Sequence, residues 1–294
     1  MDIDEFIELH NKSGYKIKTI HGNYFKAGIL KCYSWPFNYR ISLNDRLVKY
    51  LKWRYPISII CINAARKNTC EFVLKTEEYD INSFPAKKRN DIRQSLRNFR
   101  FARPDYNDIL YAGFKINTQS LGRQNREDRI LSNFKRWSSY IGLLYSHDDV
   151  ILWGAYLAER MVGYLIVFKI DNRYSIHTAF IDRQLSGNAS PMNGLIFSLV
   201  TQLIKEEGSV NISYGGYYFT PIPALNKYKK SMLFEASPAS RAFIVNPILL
   251  FLFRFIVFFN IRVLKRRSIK NELTRKIIRI YQGNRLWNKE RSAI

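Results

Sequence analysis

Proton transfer near neutral pH needs a group that titrates there, and the sequence has four histidines to offer. Two of them stand near apolar runs: His177 inside Tyr174 to Ile181, and His147 in the turn region before Ile151 to Leu157. On a strand, Ser175, His177, Ala179 and Ile181 share one face, which lets His177 point into a cleft; a lone strand histidine more often serves packing. Asp182, at the end of the same run, is the alternative base. Directly after it, Gln184-Leu185-Ser186-Gly187-Asn188-Ala189 leads into Ser190-Pro191, an N-cap and a first-turn proline for a helix. Glycine admits a close backbone approach, and the amides and dipole of a helix N-terminus attract anions. The stretch therefore suits a phosphate, and it suits equally a Gly-Asn turn entering a capped helix. Further on, Lys227, Lys229 and Lys230 form a basic turn. The chain has no Ser-His-Asp set, His-Glu metal pair or Walker loop, so hydrolase, kinase and metal-dependent readings fall away. Cys32, Cys61 and Cys70 form no CxxC pair and leave one thiol over in any pairing, which indicates neither a zinc site nor a disulfide framework.

These groups need elements to hold them. Ile151 to Leu157, Val162 to Ile170 and Tyr174 to Ile181 are separated by the short turns Glu159-Arg160 and Asp171-Asn172-Arg173, which predicts an antiparallel meander. The helix opened by Ser190-Pro191 carries Leu195, Leu199, Leu203 and Ile204 as an apolar stripe and ends at Gly208. Val210 to Tyr214 follows a connection long enough for a right-handed crossover, so it is expected parallel to the third strand. A strand C-terminus facing a helix N-terminus is where such sheets bind anions.

Upstream, Pro85 to Arg100 predicts a helix with Ile92, Leu96 and Phe99 on its apolar stripe and Arg89, Arg93, Arg97 and Arg100 on a basic one. Like charges at that spacing are mildly destabilising unless an anion meets them. Asn107 to Gln119 and Arg126 to Ile141 predict two more helices, and the polar gap from Leu121 to Asn125 between them suits an acceptor-side lid. Residues 1 to 80 carry strands over Ile57 to Ile62 and Cys70 to Lys75 and a helix over Leu43 to Trp53. Tyr33, Trp35, Phe37 and Tyr39 are aromatics of a core or of an acceptor cleft.

Two helices, a three-stranded meander, a loop and helix, and a parallel fourth strand make the succession similar to the GNAT acyltransferase fold, an α/β (α+β) fold on a mixed sheet. The details resemble its FemAB-like branch, in which a helix of the form K-K-R-N-x-I-R precedes the GNAT lobe and a Y/F-K-x-x-hydrophobic segment follows the fourth strand. Here these are Lys87-Lys88-Arg89-Asn90-Asp91-Ile92-Arg93 and Tyr228-Lys229-Lys230-Ser231-Met232. The resemblance implies a donor pyrophosphate on a Q/R-x-x-G-x-G/A loop, here Gln184, Gly187, Asn188 and Ala189. For members that take aminoacyl-tRNA it implies instead the recurring helix-start residues, here Pro191 and Asn193. It also implies that Lys229 lies near the acyl carbonyl, where a fixed cation stabilises developing negative charge. Leu233 stands where the family has glycine. The implied donor is acyl-CoA, acetyl-CoA foremost, or aminoacyl-tRNA, without a metal. Such enzymes can work by positioning an amine that is already nucleophilic, so Asp182 or His177 need only relay a proton.

The formal charge of +23 calls for a polyanionic partner, whether tRNA, anionic lipid or a phosphorylated glycan carrier, unless it merely keeps the protein in solution. The acidic start, Met1-Asp2-Ile3-Asp4-Glu5, has no basic region followed by an apolar core, so the expectation is a cytoplasmic protein. After Asn246-Pro247, an apolar helix interrupted by Arg254 precedes a strongly basic segment. It is too short for a confident bilayer crossing, and suits either burial or the inner face of an anionic membrane. The chain is expected to divide into a partial lobe over 1–104, a GNAT-like domain over 105–245, and an apolar helix with a polybasic tail over 246–294. The expected function is transfer of an acyl group to an amine of a cell-envelope glycan or peptidoglycan precursor, the acceptor possibilities including a lipid-linked sugar. The competing reading is a non-catalytic nucleic-acid-binding or scaffold protein that uses the basic surface.

Overall fold

The computed structural model describes residues 1–36, 39–63, 65, 67–186, 190–216, 222–264, 277, 280, 281, 283 and 284, with the backbone alone for 186 and 256–264. In chain order its elements are α1 (Ile3–Lys12), β1 (Ile17–Ile20), β2 (Asn23–Ala27), β3 (Lys31–Ser34), α2 (Asp45–Arg54), β4 (Ile57–Ile62), β5 (Thr69–Thr76), α3 (Ala86–Asn98), β6 (Arg100–Ala102), α4 (Gly113–Arg123), α5 (Phe134–Tyr145), β7 (Val150–Leu157), β8 (Arg160–Ile170), β9 (Arg173–Ile181), a short α6 (Arg183–Ser186), α7 (Pro191–Glu207), β10 (Val210–Gly216), α8 (Pro223–Ser231), β11 (Glu235–Val245) and α9 (Pro247–Leu264). They make two compact units interleaved along the chain: Met1–Tyr15, Phe72–Gly215 and Pro223–Ala236 in the first, and Lys16–Glu71, Gly216–Ile222 and Ser237–Ile294 in the second.

In the first unit the strands run in the order β10, β9, β8, β7, β6. The expected meander is β7, β8 and β9, all antiparallel, with left-handed residues Ala158 (φ 50°) and Asp171 (φ 50°) making its tight turns. β10 is parallel to β9, as a crossover through α7 requires. α7 ends at Gly208, which takes the left-handed φ of 77° that closes a helix. One face of β8 meets α7, where a Cβ on Gly163 would lie 3.3 Å from Leu195. The other meets α4 and α5 through Tyr164, whose hydroxyl bonds Asn117 and whose ring lies 6.0 Å from Trp137.

Several boundaries differ from the sequence expectation for identifiable reasons. Helix α3 stops at Asn98, so Arg100 lies on β6, and Leu96 is exposed. The inward stripe is Lys88, Ile92, Ser95 and Phe99, a rotation caused by a polar residue, Ser95, that is buried because it has partners. The helix expected from Arg126 starts at Phe134, because Asp128 Oδ1 accepts from the amides of Ile130 and Leu131 in a turn and Asn133 then caps α5. Leu121, Gly122 and Arg123 of the segment read as a lid belong to α4, and Leu121 is buried. The chain also opens with an unanticipated helix, α1, held by a reciprocal capping box between Asp2 and Glu5.

The second unit orders its strands β1, β2, β3, β4, β11, with β3 parallel and β11 antiparallel to β4. Alternation puts Ile60, Ala242 and Ile244 against Leu47, Val48 and Leu51 of α2. It puts Ile59, Phe243 and Val245 against Leu249, Leu250 and Phe253 of α9. Tyr33 packs with the α9 cluster, Tyr39 is exposed, and Phe37 lies outside the described residues. All three cysteines are buried thiols.

Candidate functional site

The first unit's parallel strands pair only briefly. β10 is in register with β9 at Ile212–Tyr174 and Ser213–Ser175; beyond that β9 carries on to Ile181, while β10 turns at Gly215 (φ 69°). Just past this point the β8–β9 register skips His177: Ile166 faces Thr178 and Val167 faces Ile176. The extra residue is a β-bulge, which bends its strand and strengthens its twist. Past Ser213 and Ser175 the register between the two strands ends, which leaves a β9 edge open beside the parallel pair.

Lys229 packs on the end of β10. It lies on α8, buried, with Nζ donating to the carbonyls of Tyr214 and, at 3.4 Å, Gly215, and 4.9 and 5.0 Å above the rings of Phe72 and Tyr214. Aromatic faces and carbonyl oxygens favour a cation at low solvent exposure. The α8 turn is closed by Leu233 at φ 62°, so the backbone keeps the conformation glycine would supply, and Tyr79 Oη anchors it by donating to Met232 O at 2.9 Å.

The start of α7 is gripped by α3. Ser95 Oγ donates to Ser190 O (3.0 Å) and accepts from Gly194 N (3.1 Å), so the first-turn amide is held by a neighbouring helix, while Ser190 makes no side-chain cap bond. Gly194 is required here: an added Cβ would stand 2.2 Å from Phe101 Cζ and 2.6 Å from Ser95 Oγ. One turn away, Lys88 Nζ donates to Asn193 Oδ1 at 3.1 Å and lies 5.1 Å from the Tyr228 ring. The Tyr228 hydroxyl is buried without a hydrogen-bond partner among the described residues, and burial pushes its pKa well up, keeping it a neutral phenol. Pro191 and Asn193 are both buried at this helix start.

Burial also lowers the Lys88 ammonium's pKa, against an opposing pull from Asp91 at 3.8 Å. A lysine depressed in this way costs stability wherever it is charged in the fold, which is below its folded pKa, and the cost fades as pH rises through that value. Lys88→Met is therefore expected to gain stability relative to wild type at neutral pH and to lose that relative gain as pH climbs into the lysine range. Urea unfolding at a series of pH values reads this slope.

Asp182 is buried and occupied. Its Oδ1 accepts from the amides of Gln184 (2.8 Å) and Leu185 (3.2 Å), capping α6, and Gln119, with its amide turned to donate, lies 2.8 Å from Oδ2. Those contacts describe a carboxylate that shapes the loop before α7. Asp182→Asn, which can keep the cap, is expected to change stability by no more than about 0.5 kcal/mol and Asp182→Ala to cost about 1–2 kcal/mol. A collapse of transfer in a folded Asn variant would make Asp182 the proton acceptor instead.

His177 has aromatic company: its ring centroid is 5.4 Å from both Phe168 and His10, the latter on α1. The bulge also breaks the expected face. Ser175 pairs with Phe168, on the Tyr164 side of β8, whereas Ala179 and Ile181 pair with Leu165 and Gly163, on the α7 side. Gln184 is exposed on α6, and Gly187, Asn188 and Ala189 lie outside the described residues. The structure thus gathers Asn193, Lys88, Ser95 and Tyr228 around the α7 start, and sets Lys229, one residue after Tyr228, on the end of β10. The arginine pattern of α3 does not single out Lys88 or Ser95; the sequence signal for them is the spacing Lys88, Ile92, Ser95, Phe99. Among the described residues no group of three or more metal-ligating side chains forms.

No protein-family model matches the sequence, and no curated protein matches it. Among solved structures the chain is similar to FemX, with a TM-score of 0.59 at 10% identity over 85% of this chain and 93% of that one. It is similar also to the C-terminal DUF2156 domain of a putative lysylphosphatidylglycerol synthetase from Agrobacterium fabrum, with a TM-score of 0.53 at 12% identity over 85% and 90% of the two chains. A conserved protein of unknown function from Bacteroides thetaiotaomicron gives 0.51 at 10% identity over 81% and 88%. At these identities the likeness is one of fold, and that fold is the mixed α/β, GNAT/FemAB-like one.

Proposed function

We propose that this protein is an N-acyltransferase of the GNAT/FemAB-like kind, moving an acyl or aminoacyl group to an amine of a cell-envelope glycan or peptidoglycan precursor, lipid-linked or free. The observation that carries the reading is the buried Lys229 at the end of β10, the strand whose pairing with β9 stops at Ser213. A fixed cation in a dry, aromatic setting stabilises the oxyanion that forms when an amine attacks an acyl carbonyl, and it needs no reorganisation to do so. The opened edge of β9 supplies backbone groups to orient the acyl chain, and attack by a positioned amine leaves little for a base to do beyond relaying a proton. Tyr228, a neutral phenol with an unpaired hydroxyl, suits hydrogen bonding to the donor's leaving group or to the carbonyl.

Two donors suit the α7 start, acyl-CoA, acetyl-CoA foremost, and aminoacyl-tRNA. Pro191 at the first helical position favours the second, because it has no N–H and so removes one of the few first-turn amides on which a pyrophosphate would rest. A thermal-shift screen against acetyl-CoA, longer acyl-CoAs and aminoacyl-tRNA tests this, followed by transfer of labelled acyl group to an amine acceptor. Stabilisation by none of these donors, with RNA binding indifferent to aminoacylation, would favour the non-catalytic reading.

A further inference from the structure

We infer that one end of the second unit's sheet is a docking surface for an anionic lipid bilayer, on which the protein lies without crossing. The register defines that end. Lys31 is paired with Ile57, and Ile57 with Val245, so the starts of β3 and β4 and the finish of β11 stand side by side. Three chain segments emerge there together. The β2–β3 hairpin tip is closed by Gly28 N donating to Lys31 O at 2.8 Å. The α2–β4 junction and the entry to α9 are tied by Asn246 N to Pro56 O (3.0 Å) and by Asn246 Nδ2 to Lys52 O (3.2 Å).

Each segment holds large apolar side chains out to solvent. At the hairpin tip Ile29 is 93% and Leu30 65% exposed; at the α2 terminus Trp53 is 62% exposed. On α9 the residues are Ile248, Phe251, Leu252 and Phe255, all about half exposed or more, spaced at i, i+3, i+4 and i+7 so that they form one stripe. This stripe is separate from the inward residues Leu249, Leu250 and Phe253, so the helix has one face for the sheet and a second that the unit leaves uncovered. Hairpin-tip aliphatics, a terminal tryptophan and a phenylalanine-rich helix face suit the boundary between headgroups and acyl chains.

Charge selects the bilayer. The second unit holds 24 of the 47 Lys and Arg residues but 4 of the 24 Asp and Glu, and so carries 20 of the 23 net positive charges. Lys49, Lys52, Arg54 and Arg254 lie on the same helices as the apolar groups. RNA would satisfy the charge but leave the apolar stripe in water, whereas an anionic membrane meets both. No helix among the described residues is long and apolar enough to cross a membrane, which fits a protein that lies on the surface. The surface deepens the function proposed above, since a lipid-linked acceptor is confined to a bilayer; the test contains no substrate, so its outcome is independent of transfer.

Full-length protein is mixed with vesicles of phosphatidylcholine, with or without phosphatidylglycerol, and sedimented. Binding is expected to the anionic vesicles alone, with Trp53 fluorescence quenched by brominated lipid and the quenching lost in Trp53→Phe. Ile29→Ser with Leu30→Ser, and Phe251→Ser with Leu252→Ser, are each expected to weaken binding about tenfold or more, with the thermal midpoint unchanged because the side chains are exposed. Failure to bind anionic vesicles overturns the inference, and so do serine variants that bind as wild type does. RNA binding without vesicle binding would assign the charge to nucleic acid. A dimer that the serine variants convert to monomer, with vesicle binding intact, would make the face a contact between copies.

Discussion

Lys229→Met is expected to lower turnover about 100- to 1000-fold, with the acceptor's KM little changed, because the substitution keeps the volume of the side chain and removes the cation. The same change takes a donor away from the carbonyls of Tyr214 and Gly215. Leaving buried carbonyls short of a partner costs about 1–3 kcal/mol, so a lower thermal midpoint accompanies the loss. The two effects are separated by assaying turnover well below the variant's midpoint and by checking that the donor still shifts that midpoint. A folded, donor-binding variant with turnover within a few-fold of wild type would remove Lys229 from the chemistry and leave it as the internal tie between α8 and the end of β10.

Gly194→Ala is expected to be the most damaging single methyl group that can be added at the site. Its Cβ would overlap the edge of Phe101 at 2.2 and 2.6 Å, so the ring and the Ser95 hydroxyl must both shift to admit it. Overpacking of this kind costs about 1–3 kcal/mol, and the upper end applies where ring and hydroxyl are both struck. Urea unfolding measures it. Phe101→Ala, which opens space on β6, is expected to return part of that loss when combined with Gly194→Ala, so the double variant is more stable than the sum of the singles predicts. Displacing α3 also withdraws Lys88 from Asn193, so donor binding is expected to weaken along with stability. Equal destabilisation in both backgrounds would mean that the contact relaxes elsewhere.

Much of the scaffold was legible in the residues, because its signals are periodic and local. Strands β7 to β9 announced themselves by apolar runs between short turns, and α7 by Ser190-Pro191 at one end and Gly208 at the other. The site was less legible, since its parts depend on which neighbour fills a space. Leu96 looked like core and is exposed, whereas Ser95 looked like surface and is buried, because the inward direction of α3 is set by the hydrogen bonds Ser95 makes to Ser190 and Gly194 across 95 or more residues of chain. His177 was assigned a face by strict alternation, and one bulge changed the alternation. α1 could have been found from Asp2 and Glu5 alone, a capping pair three residues apart before an apolar pattern.

The interleaving of the two units bears on how the chain comes off the ribosome. β4, Ile-Ser-Ile-Ile-Cys-Ile, is made early, yet the strand that covers one of its edges, β11, includes residues 240–245 and is translated only after the whole meander and α7. Until then a strongly apolar strand waits with an open ladder edge, the kind of surface that recruits foreign strands. No single cut releases either unit whole, so domain-by-domain expression, the usual remedy for a sticky nascent chain, is closed to this topology. Slowing synthesis gives no relief either, because it lengthens the wait. Chaperone capacity during elongation is what such a chain demands.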